Sequence, residues 1–135
     1  MDELKNLEDN GMCFACGRNN DKGLHLGFSL NRQEKIVETT FVPLDVHQGW
    51  QGVVHGGIIA TLMDEAMAKL VQLLGFHALT ASLDVRFKEV ARTGDPLQVK
   101  AEAVKLSKKI IYARAVISRG DGDIVAEAQS KLMIM

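Results

Sequence analysis

Cysteine is scarce here: two residues in a chain of 135. That argues against a disulfide scaffold and makes the reducing cytoplasm the expected setting. Charge of one sign is lacking too. Sixteen Lys and Arg stand against seventeen Asp and Glu, a net charge of −1. No broad basic field exists to attract nucleic acid, and no nucleic-acid partner is expected. No apolar run approaches the roughly 20 residues of a membrane span. The opening Met-Asp-Glu-Leu-Lys has no signal-peptide character, so no membrane partner is expected either. Internal repeats, low-complexity tracts and linkers are absent. No Ser or Cys sits in an elbow-like Gly setting, which removes support for a Ser-His-Asp triad. Gly52 to Gly57 contains neither a G-x-G-x-x-G pattern nor a P-loop Lys, so nucleotide-binding folds are unsupported.

What is present is a soluble globular composition, 47% hydrophobic and 24% charged, long enough for one domain with a real core. One long segment has helical periodicity: His55 to Gly75, HGGIIATLMDEAMAKLVQLLG. Gly75 is a normal helix terminator. No Ser, Thr, Asp or Asn caps the start, so the first backbone N–H groups, at Gly56 and Gly57, are expected to lack side-chain partners. Such a helix end can receive a carbonyl oxygen, an oxyanion or a phosphate. At about 100° per residue, Ile59, Leu62, Met63, Ala66, Leu70, Leu73 and Leu74 fill one broad apolar face. Thr61, Glu65, Lys69 and Gln72 make a polar stripe, with Glu65 and Lys69 an i,i+4 pair in the favourable order. Glu65 therefore reads as a solvated acid. Asp64 falls beside Ala60, Met67, Ala68 and Val71, on a second face of mostly small apolar residues. Two readings of it stand: an acid on a surface that something else covers, or one more exposed carboxylate at the edge of the stripe.

Residues 1 to 12 are polar and acidic, a short helix or a loose arm, and the turn-rich stretch from Cys13 to Gly23 completes an N-terminal extension over 1–23. The domain proper is expected over 24–135. Leu24, Leu26, Phe28 and Leu30 alternate with polar or small residues, predicting a strand, and residues 35–42 predict a second that Pro43 ends. After the helix the pattern is all strand. Leu83, Val85 and Phe87 alternate, then Leu97 to Ala103, then Ile110 to Ser118, then Ile124 to Ala128, separated by turn signals such as Gly120-Asp121-Gly122-Asp123. Short turns imply antiparallel pairing. The expected class is α+β: one long central helix wrapped by a curved antiparallel sheet of about six strands.

Cys13 and Cys16 have the spacing of a zinc half-site. A closed four-ligand site would need distant histidines, so the pair reads as small apolar side chains packing a turn, and neither a metal nor a cofactor is expected. His47, His55 and His77 are candidate bases or ligands, against the plainer reading of loop histidines that pack or cap; His55 is the strongest catalytic candidate because it sits at the mouth of the helix, and His47 is a candidate for substrate binding. What remains is a helix N-terminus with open amides and a carboxylate in a covered place. Amides polarise a carbonyl, and a carboxylate can attack its carbon or deprotonate a water that does. Together they describe hydrolysis of an activated acyl group.

At His55-Gly56-Gly57, Thr61-Leu62-Met63-Asp64-Glu65-Ala66, Thr80 to Phe87 and Gly94-Asp95-Pro96-Leu97, the chain resembles the hotdog-fold thioesterases of the 4-hydroxybenzoyl-CoA thioesterase superfamily, phenylacetic-acid-degradation type. The resemblance covers about residues 24 to 133. It implies an acyl-CoA substrate and hydrolysis to free acid and CoA. It also implies that the Gly56 amide polarises the thioester carbonyl, that Asp64 is nucleophile or general base, and that Ser82 orients it or the water. Relatives often carry a polar residue six positions before the histidine, where Gly49 stands here; His47, Gln48 and Gln51 are available to substitute. Trp50 and the Met-rich helix can line an aryl or an aliphatic pocket. Arg86, Lys88 and Arg92 form the nearest basic cluster for CoA phosphates, or simply a solvated strand face. A non-catalytic hotdog module that binds acyl-CoA is the alternative, which Asp64 disfavours; a hydratase is weaker still.

Gly56 and Asp64 are eight residues apart, about 12 Å along a helix axis. One helix cannot hold a carbonyl oxygen at one and attack its carbon from the other. The site is therefore expected to be shared between two chains, through a two-fold axis beside Ala60, Ala68 and Val71, and the resemblance implies a homodimer that often pairs into a dimer of dimers.

Overall fold

The computed structural model describes residues 7–135. Residues 1–6 of the polar arm lie outside that range. The elements are β1 (Ser29–Asn31), β2 (Ile36–Phe41), α1 (Gly56–Leu73), β3 (Ala78–Phe87), β4 (Leu97–Leu106), β5 (Ile110–Arg119) and β6 (Ile124–Ile134). The strands form one antiparallel sheet in the order β1-β2-β4-β5-β6-β3, and α1 packs on every strand from β2 to β6. This is the hotdog fold.

The helix ends as its sequence indicates. Gly75 takes a left-handed φ of 99°, Gly75 N–H donates to the Gln72 carbonyl and Phe76 N–H to the Val71 carbonyl. Both orphan acceptors are thereby satisfied in the reciprocal pattern that a glycine after the cap permits. The buried face is Ile59, Leu62, Met63, Ala66, Met67, Leu70 and Val71. It is rotated from the expected face: Met67 and Val71 are fully buried, whereas Leu73 and Leu74 are only half-buried. The sheet closes over this second face as well: Met67 Sδ is 3.2 Å from Ser130 Oγ on β6. Each of Leu62, Met63, Met67 and Leu70, at 0% exposure, contributes roughly 1.5–3 kcal/mol of apolar burial.

Two strands differ from the sequence pattern. The first is only three residues long, because His25 has a φ of 51° and breaks the extended run. Leu24 and Leu26 are still buried, but their N–H groups donate to the Phe14 and Ala15 carbonyls of the arm rather than to a strand. β3 begins at Ala78, four residues before the alternation is visible, and its pairing with β6 shifts between Thr80 and Ser82. Ala81 is the extra residue of a β-bulge.

Candidate active site

α1 starts with a cap that sequence rules did not supply. His55 Nδ1 accepts from Gly57 N–H at 2.8 Å, so the first-turn amides are not both open, a correction to the uncapped reading. A ring nitrogen three bonds from Cα reaches the second N–H just as an Asp oxygen does. Of the two glycine amides, Gly56 N–H is the one without a hydrogen-bond partner among the described residues. The ring of Phe87 lies beside Gly56: a Cβ there would meet Phe87 Cε1 and Cζ at 3.5 Å.

Asp64 is half-buried two turns further on, and the Thr80 hydroxyl donates to its Oδ1 at 2.8 Å. Among the described residues, nothing donates to Oδ2. The carboxylate is thus fixed through one oxygen and keeps the other for water or an acyl carbon. Ser82 does not take this position. The bulge at Ala81 sets Thr80 opposite Leu132, whose side chain is buried in the core, and Ser82 opposite Lys131 on the outer face. There Ser82 lines a cleft of about 440 Å³ with Tyr112 and Lys131. Thr80 and Phe87 are the residues that sequence reasoning missed. Thr80 was visible as a hydroxyl two positions from Ser82, but which of the two faces the helix depends on a bulge that alternation does not reveal.

The loop before α1 holds the remaining expected residues. His47 Nδ1 accepts from Leu44 N–H at 2.9 Å and its ring packs on Phe41. Burial holds its pKa below the usual histidine value, which keeps that acceptor nitrogen unprotonated. Gln48 Oε1 accepts from Gly52 N–H, closing a tight loop whose tip is Trp50, 86% exposed. Gly49 lies against His55: a Cβ there would be 3.4 Å from His55 Cδ2. Arg86 and Lys88 project from the outer face of β3, where Lys88 Nζ is 3.6 Å from Glu127, and Arg92 is in the following loop, bridged to Val53. The basic cluster is therefore split, and one member is already partnered. A cavity of about 850 Å³ lies between Leu24–Gly27 and Thr39–His47; neither Gly56 nor Asp64 lines it.

Glu65 is half-buried rather than part of a solvated stripe. Burial and Glu65 together push the Cys16 thiol up to about 12. Lys69 Nζ donates to Gln72 at 3.1 Å.

Residues 51–126 match the thioesterase superfamily, and the chain belongs to that family. It is 28% identical over 101 residues to the acyl-coenzyme A thioesterase THEM5 of Mus musculus, a match covering 75% of this chain and 41% of that protein. The human THEM5 protein is 28% identical over 102 residues, again covering 41% of its length. The chain thus spans about two-fifths of the curated relatives it matches. Among solved structures, the PaaI protein of E. coli superposes with a TM-score of 0.77 at 20% identity, covering 83% of this chain and 80% of that one. A hypothetical thioesterase of Streptococcus pneumoniae with coenzyme A superposes with a TM-score of 0.76 at 20% identity, covering 82% and 85%. None of the described helices is long and apolar enough to cross a membrane.

Proposed function

We propose that this chain hydrolyses the thioester of an acyl- or aryl-CoA to the free acid and CoA, at sites shared between two copies. The observation that carries the reading is the layout of β3. At its start Thr80 holds Asp64; at its end Phe87 packs beside Gly56, whose amide is unpartnered. β3 is the last strand of the sheet, and Leu83 and Phe87 on it are 38% and 57% exposed. An antiparallel pairing of two β3 strands about a two-fold between Leu83 and Asp84 sets Thr80 of one copy opposite Phe87 of the other. Asp64 and Gly56 of different copies then converge, twice per dimer. This route replaces a helix-to-helix contact through Val71, which is buried within its own chain. Pairing of two such dimers belongs to the same reading.

At each site the Gly56 amide polarises the thioester carbonyl. Asp64 attacks the carbon, or takes a proton from a water that does. In the first case the C–S bond breaks to leave an Asp64 acyl anhydride and CoA thiolate, and water then hydrolyses the anhydride to the free acid; in the second, the C–S bond breaks and the proton taken by Asp64 passes to the CoA thiolate. The activity named for the THEM5 relatives, and coenzyme A in the Streptococcus pneumoniae structure, support this substrate class. The deciding assay incubates the protein with CoA esters from short to long and aromatic, and follows thiol release. Hydrolysis of at least one ester with kcat/KM of about 10⁴ M⁻¹s⁻¹ or more is expected. Tight binding of an acyl-CoA without thiol release would favour the non-catalytic binding module instead.

CoA phosphates are proposed to meet Arg86 and Arg92, with Lys88 shared with Glu127. Reversing Arg86 and Arg92 to Glu is expected to raise KM for CoA esters about 10-fold or more, the worth of a charge-assisted hydrogen bond. A thioester truncated before the phosphates should be unaffected. Equal changes for both substrates would remove these residues from the binding site.

A further inference from the structure

We propose that Cys13, Cys16 and Glu65 hold a zinc ion that fastens the N-terminal arm to α1. The fold supplies the third ligand, Glu65, from the helix. One ligand atom from each residue lies within 4.8 Å of the other two. Around tetrahedral zinc, with bonds of about 2.3 Å to sulfur and about 2.1 Å to oxygen, ligand atoms stand roughly 3.5–3.8 Å apart. The cluster has to contract by about an ångström at most to reach that spacing.

The turn carrying the cysteines is built in advance of any ion. Gly17 N–H donates to the Cys13 carbonyl at 2.8 Å, and Asn19 N–H to the Gly11 carbonyl at 2.9 Å. A Cβ at Gly17 would lie 2.4 Å from Cys13 N, so this tight knuckle requires glycine directly after the second cysteine. From the other side, Leu24 and Leu26 donate to Phe14 and Ala15. Apolar burial does little to hold the same stretch. Between residues 7 and 23 Ala15 is the one buried hydrophobic side chain, while Met12 and Phe14 are 50% and 48% exposed. Ordering each residue costs on the order of 1–2 kcal/mol of backbone entropy, which a metal bond can offset and an exposed Phe cannot.

The donor set selects the ion. Two thiols with one carboxylate suit zinc, and not the all-oxygen shells of calcium or magnesium. Binding releases the two thiol protons, and the fourth position falls to water; Asp9 and His77 line the same groove. Glu65 directly follows Asp64, so the ion would tie the arm to the helix one residue from the candidate acid.

The full chain, reduced and equilibrated with Zn²⁺, is dialysed against metal-free buffer and its metal measured by mass spectrometry. About one zinc per chain is expected, falling at least tenfold in Cys13→Ser/Cys16→Ser, with affinity at least tenfold weaker in Glu65→Gln. Substituting Co²⁺ in the wild-type protein should give the thiolate-to-cobalt charge-transfer absorption, a reading that needs no variant to fold. A wild-type chain that retains no more zinc than the double-cysteine variant overturns the site. So does reduced protein that gives no thiolate absorption with cobalt, or one in which Cys13 and Cys16 form a disulfide with zinc present.

Discussion

Asp64→Asn is expected to lower kcat for the best CoA ester by roughly 10²–10⁴-fold, the range for losing a positioned base, and more if the carboxylate is the nucleophile. The substitution keeps the Oδ1 acceptor for Thr80 and the volume of the side chain, so the fold should be retained. Steady-state kinetics beside a thermal melt separates the two effects. KM should move little, because the lost group acts on the reacting carbon and not on the CoA portion. Thr80→Val should cost more in kcat than Ser82→Ala, since the first hydroxyl holds Asp64 and the second faces the other side of the sheet. An Asp64→Asn protein with undiminished kcat would remove the carboxylate from the mechanism.

The second large effect is expected from Gly56→Pro. Gly56 is the first residue of α1, and His55 before it has φ −60° and ψ 134°, the extended backbone that proline favours in its predecessor. Proline therefore fits the helix start while deleting the one N–H proposed to bind the carbonyl oxygen. Losing a single such donor costs roughly 10²–10³-fold in kcat. Gly56→Ala keeps the N–H and adds a Cβ at an ordinary 3.5 Å from Phe87, so it serves as the steric control. Mixing the inactive Asp64→Asn and Gly56→Pro proteins then tests the shared site. A mixed dimer has one site with both defects and one with neither, so random exchange should restore about a quarter of wild-type activity. If exchange is demonstrated and activity does not return, each site belongs to a single chain.

The parts of this fold that were legible are those governed by local periodicity and turn chemistry. The bounds of α1 follow from its apolar repeat and from Gly75. β4, β5 and β6 follow from strict alternation and from the turn at Gly120 to Asp123. What was hidden depends on non-local placement. That Met67 and Val71 are core is decided by where the sheet packs on the helix, with Ser130 of β6 on Met67, and no helical wheel contains the sheet. The bulge at Ala81 reverses which hydroxyl of Thr80 and Ser82 faces Asp64. The His55 cap is missed because capping rules weigh Ser, Thr, Asp and Asn oxygens, not a ring nitrogen. Glu65 sits beside Cys16 only because the arm folds back over the helix.

The outer rim of β3 has a bearing on how the protein is handled. Ten residues of backbone there pair on one side only, with no proline among them, and with Leu83, Val85 and Phe87 all on the face toward α1. An unpaired strand of this length and composition is a template for whatever strand reaches it first. In the proposed dimer a second copy covers that rim, and dilution should leave it open for a larger share of the chains. If the proposed dimer forms, the apparent melting temperature should climb with protein concentration.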